Sequence, residues 1–295
     1  MTSLPHFVHH QPTTLDEALA LVDRYGTKGR LLAGGTEVIP KLRSRALCPD
    51  QLISVNRITE LSKLEVQSDG ELVIGAGARV SEVGRHETVR EVYPALAHAC
   101  SVMATTQIRN MATVAGNLVN GSPCADTACP LLVYDARLVL ASRSGRREIP
   151  ISAFYQGPGQ VDISPKEIVV EIVVPPVAAR TGSAYQRISA RSSVDMAAAS
   201  VAALVTLDGK GQCSTVRVAM GAVAPTPLRC KQAEALLADQ APDAEHLAWS
   251  SAAVAKAAAP IDDVRATAAY RRAVLPVLAR RVLEQSLTRA GGGAQ

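Results

Sequence analysis

Aromatic residues are nearly missing from this chain: Phe, Tyr and Trp together supply 3% of its 295 residues, with a single tryptophan. Because the hydrophobic fraction is still 47%, a sizeable core has to be assembled from Ala, Val, Leu and Ile. No apolar run reaches the roughly 18 residues that a membrane-crossing helix needs, so none is expected. The opening residues, MTSLPHFVHHQPTT, lack the positive start and apolar stretch of a secretory signal. An excess of charge is absent too. There are 31 basic against 27 acidic residues, a net charge of +4, and no basic stripe of the kind nucleic acid demands.

Cysteine is sparse and unpatterned. Cys48, Cys100, Cys124, Cys129, Cys213 and Cys230 form no C-x-x-C pair, so buried free thiols in a cytoplasmic protein are expected. A zinc site or a protein-bound iron–sulfur cluster is not. His6, His9 and His10 lie close together without a carboxylate or cysteine ligand nearby and read as a solvated terminal loop. Neither a nucleophile elbow nor an H-E-x-x-H motif occurs.

What is present divides into two parts, as the length allows. Thr14 opens the capping box T-L-D-E with Glu17, followed by the apolar face Leu15, Ala18, Leu19, Val22, which predicts a helix to about Tyr25 closed by Gly26. RLLA, QLISV (51–55) and LVIGAGA (72–78) read as strands, TEVIPKLRSR as a helical turn or two, and 90–104 as one helix. Ser122 as N-cap with Pro123 at the first helical position predicts a helix over 123–136. RLVLAS and RREIPI pair through Ser144-Gly145. A strong strand, EIVVEIVV, then meets two prolines, and the boundary falls in VAARTG. Beyond it AYQRISA, MAAASVAALVTLD and CSTVRVAMGAV are strands, the last two joined at Gly209-Lys210-Gly211. Helices finish the chain, one of them over 262–287. Its arginine-rich stretch RRAVLPVLARR reads as a solvated or partner-facing surface. The class is α+β.

Three glycine-containing stretches compete as sites. In ELVIGAGARVSEVG a strand leads into Gly75-x-Gly77, but Val80 stands where a dinucleotide fingerprint needs its third glycine, so a turn ending a strand is the better reading. RLLAGGTEVIP (30–40) and QIRNMATVAGNLVNGSPCAD (107–126) each place small residues at the end of an apolar piece, with hydroxyls and amides following. Backbone without Cβ atoms can turn successive N–H groups toward one point, the arrangement a pyrophosphate needs. A ligand approaching Gly34 and Gly35 would account for the bare pair.

LLAGGTEVIPKLR…LISVNRITEL followed by QIRNMATVAGNLVNGSPCADTACPLLVYDA resembles the FAD-binding medium subunit of the molybdenum hydroxylases, the family of carbon monoxide dehydrogenase and xanthine dehydrogenase. The likeness extends over nearly the whole chain. It implies an FAD-binding fold of the vanillyl-alcohol oxidase type over 1–176, in two α+β subdomains (about 1–57 and 58–176). A C-terminal α/β domain of the CO dehydrogenase flavoprotein type would follow over 182–289, and then a flexible tail, 290–295. In relatives the first motif wraps the FAD diphosphate, which maps here to Leu31, Leu32, Ala33, Gly34, Gly35, Thr36, Glu37 and Val38. The second maps to Thr113, Val114, Ala115, Gly116 and Asn117. Ala115 stands where the family usually has glycine, a departure that bears on how tightly the cofactor is held. Asn120, Ser122 and Asp126 follow, with Asp126 meeting the cofactor, and Met103, Ile108, Ala112, Ile168 and Val169 fall where relatives pack apolar atoms on the flavin. SSVDMAAAS, where relatives often cover the ring, assigns no residue.

The resemblance implies a non-covalent FAD that takes electrons from [2Fe–2S] clusters of a small partner subunit. A large molybdopterin subunit performs the hydroxylation, in a dimer of heterotrimers, and an external acceptor takes the electrons. No catalytic acid, base or nucleophile of this chain is then required. A self-sufficient flavin oxidase and a flavin-free assembly subunit are the alternatives. No four-cysteine loop for an additional cluster is present.

Overall fold

The computed structural model describes residues 4–191 and 194–292. Three sheets carry the architecture. The first is parallel, with Gln51–Ser54 at its centre between Val8–His10 and Gly29–Leu32. The helix Leu15–Tyr25 packs on it. Thr14 caps that helix by accepting the Glu17 N–H at 3.2 Å, but the Glu17 carboxylate reaches back one residue further than a capping box requires, to the N–H of Thr13 at 2.7 Å. Gly26 ends the helix at φ +48°. His9 and His10 belong to the first strand rather than to a loop, and His10 hydrogen-bonds Gln51 at 2.7 Å.

The second sheet is antiparallel, in the order Leu64–Val66, Leu72–Gly75, Ile168–Val174, Arg137–Ser142, Gly145–Pro150. Its central strand, IVVEIVV, is apolar almost throughout because both faces are covered. Val73, Val139, Ile168 and Val173 face the core of the first unit, while Leu72, Ile74, Leu138, Leu140 and Ile172 face the helices of residues 80–133. Gly75 and Gly77 sit where this sheet turns. A Cβ on Gly75 would stand 2.8 Å from the carbonyl carbon of Leu61, so crowding by the chain itself accounts for that glycine.

Two helices of this region depart from the sequence reading. Residues 90–104 are split into Glu87–Val92 and Pro94–Val102, because Pro94 lacks an N–H and holds Tyr93 out of the helical region, at φ −121°, ψ 53°. The helix expected over 123–136 runs only over Ala128–Val133. Residues 122–127 make turns instead: the Ser122 hydroxyl accepts the Cys124 N–H, and the N–H and hydroxyl of Thr127 both go to the Asn117 side chain.

The third sheet, Thr181–Ile188, Ala199–Leu207, Cys213–Gly221 and Leu228–Arg229, is an antiparallel meander. One of its faces, with Tyr185, Ala202, Leu204 and Ala219, continues the central core. The other, with Ala184, Val201, Ala203 and Val205, packs under the helices Ala244–Ala257 and Ala268–Ala290. The last helix runs over Ala268–Ala290, capped by Thr267, rather than starting at 262. Arg271 on it is 2% exposed, donating to the Ala222 carbonyl and to Asp263, so this arginine is part of the interior rather than of a solvated face. Of the expected tail, residues 293–295 lie outside the described part. Cys48 is exposed and Cys124 half-buried, while the other four cysteines are buried. No helix among the described residues is long and apolar enough to cross a membrane.

Candidate cofactor site

A cleft of about 880 Å³ opens where the first sheet, the helices Thr106–Arg109 and Val114–Val119, and the edge of the third sheet converge. Its size is that of small-molecule and cofactor sites. All the residues anticipated from the sequence line it except Leu32 and Val114. Val114 is fully buried and its N–H is taken by the Ala78 carbonyl. Leu32 gives its carbonyl to the Val55 N–H.

The glycine pair has two different causes. A Cβ on Gly34 would stand 2.7 Å from the carbonyl carbon of Met111 and 2.8 Å from the Cα of Ala112, closer still to the Met111 oxygen. What comes so near to Gly34 is thus the second glycine-containing segment of the same chain, which corrects the reading that a ligand alone excludes a side chain there. Gly35 is bare for conformational reasons, at φ +73°. Together the two residues swing the chain from the strand Gly29–Leu32 into the helix Val38–Arg43. Among the described residues, no backbone N–H from Gly34 to Val38 meets an acceptor, and the next, that of Ile39, goes to the Gly35 carbonyl at 2.9 Å. A run of unpartnered donors lining a cleft is the arrangement that binds anionic oxygens.

The second segment supports this wall. Thr113 caps the helix Val114–Val119 by accepting the Gly116 N–H at 3.0 Å. Ala115 has ordinary helical geometry, and its N–H finds no acceptor among the described residues. Asn117 accepts from the Thr127 hydroxyl at 2.6 Å through its side-chain oxygen, so its amide N–H groups remain as donors. Lys41 donates to the Asn120 side chain at 2.9 Å and lies 3.7 Å from Glu37, joining the two segments. Met103, Ile108, Ala112, Ile168 and Val169 supply apolar lining.

Asp126 is 5% exposed and bonded to the protein: Tyr185 donates to it at 2.6 Å, and Nη1 of Arg187 lies 3.2 and 3.1 Å from its two oxygens. Burial raises its pKa, against the opposing pull of Arg187 and Tyr185. Burial likewise raises the pKa of the cleft-lining Cys124 thiol.

The sequence reading missed the side of the cleft contributed by the C-terminal part of the chain: Arg187 on the third sheet, Val194, Asp195 and Met196 between its first two strands, and Arg265 just before the last helix. Arg265 donates to the Met196 sulfur at 3.1 Å and is itself held by Asp263 at 2.8 Å. The only local signal was the period-2 spacing of Tyr185 and Arg187, which puts both on one face of a strand. Of SSVDMAAAS, Ser192 and Ser193 lie outside the described residues.

Unpartnered backbone donors, apolar side chains and a buried guanidinium lining one cleft fit a molecule with a phosphate segment and a flat apolar ring system. Comparison with known proteins agrees. Residues 5–177 match the model described as the FAD binding domain in molybdopterin dehydrogenase, and residues 183–286 match that of the CO dehydrogenase flavoprotein C-terminal domain. The chain belongs to this family of FAD-binding molybdopterin dehydrogenase subunits. It is 33% identical over 288 residues to the xanthine dehydrogenase FAD-binding subunit of Escherichia coli O157:H7, covering 97% of this chain and 98% of that one. It is 32% identical to the carbon monoxide dehydrogenase medium chain of Hydrogenophaga pseudoflava, covering 97% and 98%. The solved carbon monoxide dehydrogenase from Hydrogenophaga pseudoflava that lacks the Mo-pyranopterin moiety superposes with a TM-score of 0.93, at 33% identity over 98% of this chain and 99% of that one. This FAD-binding subunit is accordingly a flavoprotein component of an oxidoreductase, with the mixed helix-and-sheet fold of those relatives.

Proposed function

We propose that this chain is the electron-transfer subunit of a molybdenum hydroxylase, holding FAD non-covalently between an iron–sulfur partner and an external electron acceptor. The observation that carries the reading is the row of unpartnered N–H groups from Gly34 to Val38, set against an apolar-lined cleft of cofactor size. FAD, when bound, supplies one- and two-electron redox chemistry. The protein's own part is to hold and shield it. Gly34–Val38, with the Thr36 hydroxyl, the Ala115 N–H and the Asn117 amide, would take the diphosphate. Met103, Ile108, Ala112, Ile168 and Val169 would pack against the ring and keep water from it. Residues 1–57 and 58–176 would form the two halves of the cofactor domain, and 182–289 the domain that closes it.

A small [2Fe–2S] subunit and a large molybdopterin subunit are the proposed partners, assembled as a dimer of heterotrimers. Unpaired cysteines fit a reducing compartment, the cytoplasm. The test is the visible spectrum of the purified chain after incubation with FAD and desalting. Retained flavin bands, released on denaturation as unmodified FAD, are the expected outcome. The reading fails if denaturation releases no flavin either from Ala115→Gly or from the chain co-expressed with the two partner subunits.

A further inference from the structure

Residues 162–167 belong to no strand, yet Ile163, Ser164, Pro165 and Glu167 line the cleft, together with Ile168 and Val169 that follow them. A segment without a sheet ladder has to be placed by its side chains, and one guanidinium does most of this. Arg147, on the strand Gly145–Pro150, donates Nε to Oε1 of Glu167 at 2.6 Å and Nη2 to Oε2 at 3.0 Å, the two-pronged pairing that suits an arginine and a carboxylate. The same side chain reaches the other end of the segment: Nη2 donates to the Asp162 carbonyl at 3.0 Å and Nη1 to the Asp162 carboxylate at 3.3 Å. Glu167 also accepts the Ser164 N–H at 2.7 Å, closing the turn between them. The Arg147 guanidinium holds the Glu167 carboxyl below the ordinary carboxylate range. Arg147 itself is not among the residues that line the cleft.

We propose that Arg147 is a positioning residue for the cofactor: from outside the cleft it fixes both ends of the segment 162–167, and so sets Ile168 and Val169 against FAD. The inference rests on FAD being the occupant of the cleft. An isolated exposed ion pair would contribute little. This one differs because the Glu167 side chain is only 13% exposed and because a single rigid fork joins two carboxylates and a carbonyl. A lysine could reach one of those partners but not hold both ends at once. The segment's other charged tie, Lys166 to Asp23 at 2.9 Å, is a single bond between exposed side chains. Arg137 supplies an internal comparison. It makes an equally two-pronged bond, to Glu71 at 2.7 Å, and a further one to Glu148 at 2.7 Å, on the same sheet, but none of these three residues lines the cleft.

The informative variant is Arg147→Gln in the full-length chain, with Arg137→Gln beside it. Two quantities are read: affinity for FAD, and the rate at which trypsin cleaves after Lys166 in the folded protein without FAD. Arg147→Gln is expected to bind FAD about 3- to 10-fold more weakly and to be cut after Lys166 several-fold faster. Arg137→Gln is expected to change neither, even where it lowers the thermal midpoint as much. Arg147→Lys should fall between Arg147→Gln and the wild type in both readings, and it stands in for Arg147→Gln if that variant does not fold. Faster cleavage with unchanged FAD affinity overturns the proposal, since the segment would then be freed without consequence for the cofactor. Unchanged cleavage overturns it as well, and so does an equal loss of FAD affinity in Arg137→Gln, which would make the effect one of general sheet stability. A wild-type chain that binds no FAD, alone or in complex, removes the cofactor reading and this proposal with it, whatever the variants show.

Discussion

Gly34 shows how little a residue's own neighbourhood in sequence says about why it is there. Next to Gly35 it looks like half of a turn, but its hydrogen occupies the gap left by the main chain of Met111 and Ala112. Those atoms are backbone and cannot rotate away. Gly34→Ala is therefore expected to cost about 3 kcal/mol or more in a denaturant melt, the range of severe overpacking, and to separate the two walls of the cleft so that FAD binding is lost with it. Gly35→Ala meets a different obstacle, a left-handed backbone, and should cost about 1–2 kcal/mol. Similar values for the two variants would show that the Met111 segment yields and that the explanation for Gly34 is wrong.

At the scale of elements, the last helix and the third sheet depend on another glycine. Gly182 lies on the strand Thr181–Ile188, and a Cβ there would stand 2.6 Å from the backbone nitrogen of Ala290, nearer still to the Ser286 carbonyl. The helix Ala268–Ala290 comes down onto the sheet at that point, where Ser286 also donates to the Ala203 carbonyl. Gly182→Ala should push the end of the helix off the sheet, which limited proteolysis would detect as new cleavage beyond Leu283 in the otherwise folded protein. An unchanged digestion pattern would mean that the close approach has no role in docking the helix. The strands at this scale were readable from the sequence because alternation and turn residues are local: both glycine-flanked hairpins, at Ser144-Gly145 and Gly209-Lys210-Gly211, fall where expected. The helix expected over 123–136 failed for the converse reason. Its N-terminal signal was local, but the side chains of Asn117, Tyr185 and Arg187 bind Thr127 and Asp126 from elsewhere in the chain. These bonds accompany a turn where propensity alone favours a helix.

For the whole molecule, one carboxylate ties the loop beside the cleft to the buried start of the last helix. Burial would raise the pKa of Asp263. The Arg265 N–H, the Arg271 guanidinium and the Ala266 N–H outweigh it and bring the value down to about 2. A carboxyl held below its ordinary value of 3.8 contributes stability that is present at neutral pH and is lost as pH falls through the range from about 4 to 2. Asp263→Asn is expected to be less stable than the wild type at pH 7, with the difference shrinking on acidification. A difference independent of pH between 7 and 2 would assign the effect to lost packing around Arg271 instead.

The class of the fold, most of the strands and the two segments that face the cleft were legible in the sequence, since periodicity, capping residues and turn glycines act over a few neighbours. It also carried the family resemblance, because that depends on short contiguous motifs. That Gly34 is bare to admit Met111, that Arg271 is interior, and that Asp126 is bonded to Tyr185 and Arg187 follow from the folded arrangement. Each of those facts is a contact between residues tens of positions apart. Such contacts are set by how the sheets stack, and no local pattern in the chain encodes them.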